Sequence, residues 1–264
     1  RLADVDCLGG LPRLEDILLS NDVDTVVLAF SCPDRAEFFG TLNVCYEHGV
    51  TAKVHRDHAD AVLTRSVAGD ELVDIDLEPW DLQDQVAKRL FDVTFAAVSL
   101  VCLTPVIAAV ALAIKLADGG PVLYQQERTT TFGDTFTISK FRTMIPDAEA
   151  GAGATISAAD AGDVDPRVTA IGRVLRPTHL DEIPQLLSVL RGDMSVVGPR
   201  PERPELDADI ETSLEGWRSR WFVKPGLTGL AQIRGITGHD PRQKLQHDIK
   251  YIQNQSLAFD AKIV

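Results

Sequence analysis

Residues Val93 to Ile114 read VTFAAVSLVCLTPVIAAVALAI. The run holds about 22 residues without a charged side chain, the length an α-helix needs to span the hydrocarbon core of a bilayer. A buried core helix of a soluble protein has the same composition, so both readings stand at this point. Lys88 and Arg89 precede the run and Lys115 follows it. Both flanks are therefore basic, and the positive-inside rule fixes no orientation. Pro105 sits at the middle, where it removes a backbone donor and clashes with the preceding turn. A straight crossing separates everything before the run from everything after it by the width of the bilayer. A helix that enters, breaks at Pro105 and returns to the same face keeps the two flanking segments together, provided the freed backbone groups find internal partners. Ser99 and Thr104 are placed to supply some of them. Trp80 to Leu90, just upstream, is amphipathic enough to lie in the interface.

Upstream of this run the pattern alternates between helix and strand. Leu14, Ile17, Leu18 and Leu19 fit a short helix, and Thr25 to Phe30 is a β-branched apolar run. Arg35 to His48 is helical, and Thr51 to His55 is again strand-like. This βα succession predicts a doubly wound, parallel sheet. No GxGxxG follows a strand, and Gly9-Gly10 alone reads as a turn. Residues 1 to about 65 are therefore read as the later part of a Rossmann-like domain, and residues 66–80 as an acidic linker. The chain does not begin with Met and shows no cleavable signal peptide, so it is read as a fragment with further sequence upstream.

Charge and cysteine content narrow the classes. The formal net charge is −13 over 264 residues, of which 45% are apolar. Residues 1–87 carry 6 basic and 18 acidic side chains, and residues 88–264 carry 20 and 21. So acidic a first part argues against nucleic acid as a partner, because phosphate backbones are bound by clustered Lys and Arg. Cys7, Cys32, Cys45 and Cys102 form neither a CxxC pair nor a zinc spacing with the six histidines. A reduced, cytosol-facing protein follows from that usage.

After Gly119-Gly120-Pro121 the chain becomes a polar, Arg-rich α/β region. Strands are expected around Val122 to Gln125 and Thr135 to Lys140, and helices near Ile171 to Leu175 and Pro184 to Leu190. Within it, Ile183, Leu186, Leu187 and Leu190 follow helical spacing, and Gly192 is a natural C-terminal stop. Pro184 is tolerated in a first helical turn. Asp181 and Glu182 thus fall at a helix N-terminus, where the macrodipole favours carboxylates and free N–H groups receive phosphate. A plain capping pair has the same appearance. Around the pair lie Arg128, Lys140, Arg142, Arg167, Arg173, Arg176 and Arg200, a supply of cations suited to a diphosphate. Two adjacent carboxylates also suit Mg²⁺, which takes few protein oxygens and keeps substrate phosphates as its other ligands.

These blocks, taken in order, resemble the bacterial-type sugar transferases, the monotopic polyprenyl-phosphate glycosyl-1-phosphate transferases. The matching stretches are Lys88 to Asp92, Gly120-Pro121-Val122 with Gln126-Glu127-Arg128, Lys140 to Met144, Asp165-Pro166-Arg167, Leu180 to Leu186, Gly192 to Pro201, and Lys224 to Gly229. The resemblance covers about two thirds of the chain. It implies an α/β fold in three parts: residues 1–80, part of a Rossmann-like accessory domain plus linker; residues 81–116, an interfacial and re-entrant membrane helix; residues 117–264, a mainly helical α/β catalytic domain at the cytoplasmic face of the cell membrane. It further implies Mg²⁺, a nucleotide sugar (usually a uridine diphosphate sugar), a polyprenyl phosphate acceptor and contact with membrane lipid. Self-association stays open.

By that resemblance Asp181 is a nucleophile that takes the sugar phosphate, Glu182 holds the metal, and Arg128, Lys140, Arg142, Arg176 and Arg200 bind substrate phosphates. The product initiates glycoconjugate or exopolysaccharide synthesis. Three positions depart from the family pattern: His179 where Ser is usual, Thr130 for a frequent Gly, and Leu230 for a Trp. None is in the Asp181-Glu182 pair. Two other classes remain as rivals, a catalytically silent membrane scaffold and a soluble nucleotide-sugar enzyme with residues 93–114 as a core helix.

Overall fold

The computed structural model describes residues 8–29, 35–55, 64–65, 72–75, 82–145, 148, 165–214, 216–236, 238 and 240–264. It divides into two compact units, Arg1–Gln85 and Val86–Val264.

The first unit contains α1 (Leu14–Ser20), β1 (Thr25–Leu28), α2 (Arg35–Glu47), β2 (Thr51–His55), β3 (Thr64–Arg65) and β4 (Leu72–Ile75). The chain from β1 through α2 to β2 is a crossover, and β1 pairs with β2 in parallel, as the alternating pattern predicts. The remainder corrects the expectation of a parallel sheet. The strand order is β1-β2-β4-β3, and β4 runs antiparallel to both β2 and β3. The acidic stretch read as a linker therefore contains a strand, and most of it otherwise lies outside the described residues. Leu28, Phe38, Leu42, Cys45 and Val54 form the buried centre of this unit. Burial pushes the Cys45 thiol up to about 11, which makes it an inert packing group.

The second unit opens with α3 (Leu82–Asp118), a helix of 37 residues and so about 55 Å long. Gln83–Ala117 is long and apolar enough to cross a membrane. Val98, Val101 and Leu112 are 57%, 74% and 60% exposed. Side chains so apolar and so open are not those of a helix buried in the core of this chain. Pro105 lies inside the helix, which keeps its helical hydrogen bonding on both sides of it. The ring nitrogen still withholds the bond that the Val101 carbonyl would receive, and just before it Thr104 Oγ1 donates to the Leu100 carbonyl at 2.8 Å.

β5 (Leu123–Thr129) and β6 (Thr135–Phe141) form an antiparallel pair, followed by α4 (Gly172–Leu175), a 3₁₀ segment (Leu180–Gln185) and α5 (Leu186–Arg191). Next come β7 (Ser195–Val197), α6 (Pro204–Ser213), a 3₁₀ segment (Trp217–Phe222), β8 (Gly226–Thr228), α7 (Leu230–Ile233), α8 (Pro241–Asn254) and α9 (Leu257–Ile263). β7 and β8 pair in parallel. Their closeness depends on glycine: a Cβ on Gly226 would lie 2.0 Å from the Gly198 nitrogen.

The block Lys88 to Asp92 ties the start of α3 to this unit. Lys88 Nζ donates to Asp260 Oδ2 at 2.5 Å and to the Val197 carbonyl at 3.3 Å. Arg89 donates to the Val189 and Leu190 carbonyls, both at 2.6 Å, and so caps the open C-terminal end of α5. Asp92 Oδ1 accepts from Ser195 Oγ and from the Val196 N–H, each at 3.0 Å. The far end of the apolar run enters the same unit, where the Arg142 N–H donates to the Val122 carbonyl at 2.9 Å.

Asp92→Ala leaves a buried N–H and a buried hydroxyl without their acceptor, so it should destabilise the second unit by about 1–3 kcal/mol. Thermal unfolding in detergent checks this, and an unchanged melting temperature would show that the tie contributes nothing.

Candidate active site

Asp181 and Glu182 are both buried, at 9% and 8% exposure. They stand in the first turn of the 3₁₀ segment Leu180–Gln185, entered through His179 in the left-handed region at φ 53°. This refines the sequence expectation. Pro184 lies inside the 3₁₀ segment, because a residue without an N–H cannot close an α-helical turn there, and the α-helix begins only at Leu186. Gly192 ends α5 in the left-handed conformation, as the sequence predicts. A helix of six residues has little macrodipole, so the carboxylates depend on neighbouring cations rather than on a helix end.

Two of those cations converge on Glu182. Lys140 Nζ, from β6, donates to Oε1 at 2.7 Å. Arg200 reaches both oxygens, with NH2 on Oε1 at 2.5 Å and NH1 on Oε2 at 3.1 Å. Arg200 is delivered by the Gly198-Pro199-Arg200-Pro201 stretch that leaves β7. It keeps 34% of its side chain open while Glu182 keeps 10%. Burial pushes the Glu182 carboxyl up, and Arg200 and Lys140 more than offset this, leaving it well below the usual carboxylate range.

Asp181 is in a different condition. Among the described residues it has no ion pair, and burial holds its carboxyl above the ordinary value, with Lys140 pulling the other way. Arg200 lies within electrostatic reach of it. One carboxylate is thus fully engaged by cations, and its neighbour is buried, unpaired and beside positive charge. The second is the state in which a carboxylate oxygen is most available to attack phosphorus.

Arg128, on β5, completes the group of cations. It donates to the Pro201 carbonyl at 3.1 Å and to Gln126 Oε1 at 2.5 Å. Burial, partly opposed by Glu202, pushes its guanidinium down to about 10. The structure puts the remaining two expected phosphate ligands in other surroundings. Arg142 packs at the exit of α3, where a Cβ on Gly120 would lie 2.3 Å from its NH1. Arg176 sits within electrostatic reach of Asp165. Arg167, by contrast, is committed to Asp165 at 2.8 Å.

Sequence reading missed a second set of charges, Glu202, Asp207, Arg220, Lys244 and Asp248, all buried. A signal was present in α8: Lys244 and Asp248 share a face with Leu245, Tyr251 and Ile252, the buried side of that helix.

For a divalent cation, no cluster of three or more His, Cys, Asp or Glu side chains occurs among the described residues. Mg²⁺ does not require one, since it is held by one or two carboxylates plus substrate phosphates. Glu182 is held as an anion, the form a metal requires, but both of its oxygens are taken by Lys140 and Arg200, so it could hold Mg²⁺ only by releasing one of those contacts.

The chain matches the bacterial sugar transferase family model over residues 83–264. It is 44% identical over 182 residues to the UDP-glucose:undecaprenyl-phosphate glucose-1-phosphate transferase of Caulobacter vibrioides, covering 67% of this chain and 66% of that protein. The protein so named in Xanthomonas campestris pv. campestris is 32% identical over 269 residues, 98% of this chain and 55% of its own length. The exopolysaccharide production protein ExoY of Rhizobium meliloti is 40% identical over 194 residues, 68% of this chain and 82% of its own. The chain thus spans only part of the length of these relatives.

Asp181 supplies a thermodynamic test. Its carboxyl is raised above its value in the unfolded chain, so the fold favours the protonated form and is weakened by the charged one. That loss is complete above the folded value and disappears below the unfolded one. Asp181→Asn should therefore melt higher than the wild type at pH 7, with the difference shrinking as pH falls through the carboxylate range. A variant less stable at pH 7 would mean that Asp181 is held by partners.

Proposed function

The chain belongs to the bacterial sugar transferase family, and we propose that it moves a sugar-1-phosphate from a UDP-sugar to a polyprenyl phosphate. The observation that carries this reading is the contrast within the dyad: Glu182 bound by Lys140 and Arg200, and Asp181 beside them without an ion pair.

In this reading Arg128, Lys140 and Arg200 receive the diphosphate, with Arg142 and Arg176 at the margins of the site. An Asp181 oxygen attacks the phosphorus that bears the sugar. The anhydride P–O bond breaks, its electron pair leaves on uridine monophosphate, and the sugar phosphate stays bonded to Asp181. A phosphate oxygen of the polyprenyl phosphate then attacks the same phosphorus and returns the Asp181 carboxylate, giving a lipid diphosphate sugar. Mg²⁺, held by Glu182 and the substrate phosphates, would supply charge neutralisation to this centre. The fixed cations Lys140 and Arg200 orient the diphosphate before attack and offset the charge on the departing phosphate.

The same reading makes α3 a re-entrant membrane helix. Lys88, Arg89 and Asp92 bind the second unit before the apolar run, and β5 enters that unit after it. A single folded body cannot occupy both sides of a bilayer, so an apolar run buried in lipid must return to the face it left. Proline at position 105 weakens the middle of the helix, where the chain must bend. Both flanks then share the cytoplasmic face, and the dyad lies close to the depth of a lipid phosphate. The first unit is read as the Rossmann-like accessory domain of the longer family members.

The deciding experiment incubates membranes containing the protein with a panel of labelled UDP-sugars and follows uridine monophosphate release and lipid-linked product. Asp181→Asn should reduce both by on the order of a thousandfold or more. Glu182→Gln should reduce turnover severely and weaken its dependence on Mg²⁺. An Asp181→Asn protein with full activity removes the nucleophile. Separately, single-cysteine labels before residue 88 and after residue 116 should react from the same side of sealed vesicles, and opposite sides would refute re-entry.

A further inference from the structure

Behind Arg128 and Arg200 lies a group of buried charges that the reaction itself does not use. Glu202 follows Arg200 by two positions and is 9% exposed. Its Oε1 receives Lys244 Nζ in a short ion pair, and its Oε2 stands 4.0 Å from Arg128 NH1. Arg220 braces the same place from the other side. Its NH2 donates to the Arg200 carbonyl at 2.6 Å, and its Nε to Asp248 Oδ2 at 2.7 Å. Its guanidinium lies 4.2 Å over the Trp217 ring, whose Nε1 donates to Asp207 at 2.6 Å.

Buried ion pairs are poor devices for stability, because desolvation cancels most of their attraction and apolar replacements are often as stable. A group of five therefore calls for another explanation. Arg128 and Arg200 repel one another, yet a diphosphate needs both at a fixed separation. Glu182 offsets that repulsion through its pair with Arg200, and Glu202 offsets it from 4.0 Å away from Arg128 and within electrostatic reach of Arg200. Glu202 is itself an anion, since Lys244 and Arg220 outweigh its burial and hold its carboxyl down at about 2.

We propose that Glu202 is a positioning residue: fixed by Lys244, it holds Arg128 and Arg200 at the separation a substrate diphosphate requires, without touching the substrate. The inference rests on the reading of the chain as a UDP-sugar transferase. The competing role is structural, in which Glu202 serves only to neutralise buried Lys244.

The full chain in detergent separates the two, with UDP as the titrated ligand and melting temperature measured in parallel. Glu202→Gln alone leaves Lys244 charged and buried, so it should melt lower and bind UDP more weakly. Glu202→Gln with Lys244→Met removes both charges and should melt close to the wild type. Its UDP affinity should nevertheless remain about tenfold or more below wild type, the size of a lost coupling between neighbouring charges. In turnover the double variant should show a raised KM with kcat much less affected. Recovery of UDP affinity together with melting temperature overturns the proposal, and so does a double variant that cannot fold, since either makes Glu202 a structural partner of Lys244. Failure of the wild type to bind UDP refutes the transferase reading instead.

Discussion

Glu182 is gripped by Lys140 and Arg200, and the rest of the second unit is organised around that grip. Three charged groups meet in a place with little access to water, where each alone would be strongly disfavoured. β6 brings the lysine, the stretch after β7 brings the arginine, and the 3₁₀ segment brings the carboxylate. Because Glu182 takes up both cations, Asp181 beside it is left without a partner. A paired carboxylate is a weak nucleophile. An unpaired one beside fixed cations is a better one, so the role proposed for Asp181 depends on the grip on Glu182.

The elements that deliver these groups also hold the long apolar helix. Lys88 and Asp92 bind the segment that includes β7, and Arg89 closes the end of α5, which continues directly from the dyad. Asp260 and Tyr251 complete the tie: the tyrosine hydroxyl lies within hydrogen-bond distance of both the Val197 carbonyl, at 3.0 Å, and Asp260 Oδ1, at 2.9 Å, with one proton to donate between them. The position of the apolar run is therefore fixed to the same backbone that sets the position of Arg200. In the proposed function this keeps the site at a constant depth relative to the apolar helix, as a lipid-borne acceptor requires.

The sequence revealed those parts whose signal is local. The uncharged run at 93–114, the helix beginning at Arg35 and the strand at Thr51 each carry their own periodicity or composition. The gathering of cations at Asp181-Glu182 was legible because two adjacent carboxylates followed by Ile-Pro lie among so many basic residues, two of which converge on Glu182. The strand at Leu72 was not, since Leu72-Val73-Asp74-Ile75 lies within an acidic stretch and only its pairing with β2 marks it as a strand. Pro105 marks the middle of the apolar run, but its effect on the backbone was not legible, since a proline weakens a helix without always interrupting it. The charges at Glu202, Arg220, Lys244 and Asp248 were hidden for another reason: single charged residues normally face water, and the burial of Lys244 and Asp248 on α8, of Arg220 on the 3₁₀ segment and of Glu202 in the stretch before α6 emerges only when these segments pack together.

All of this turns on whether a covalent bond forms between Asp181 and the sugar-bearing phosphorus. The most direct measurement is mass spectrometry of the protein quenched after exposure to a UDP-sugar without polyprenyl phosphate, followed by mapping of the modified peptide. The account predicts one sugar phosphate on the peptide that contains Asp181, lost on later addition of the acceptor lipid. A protein that turns over with the modification on another residue, or with none at all, contradicts it.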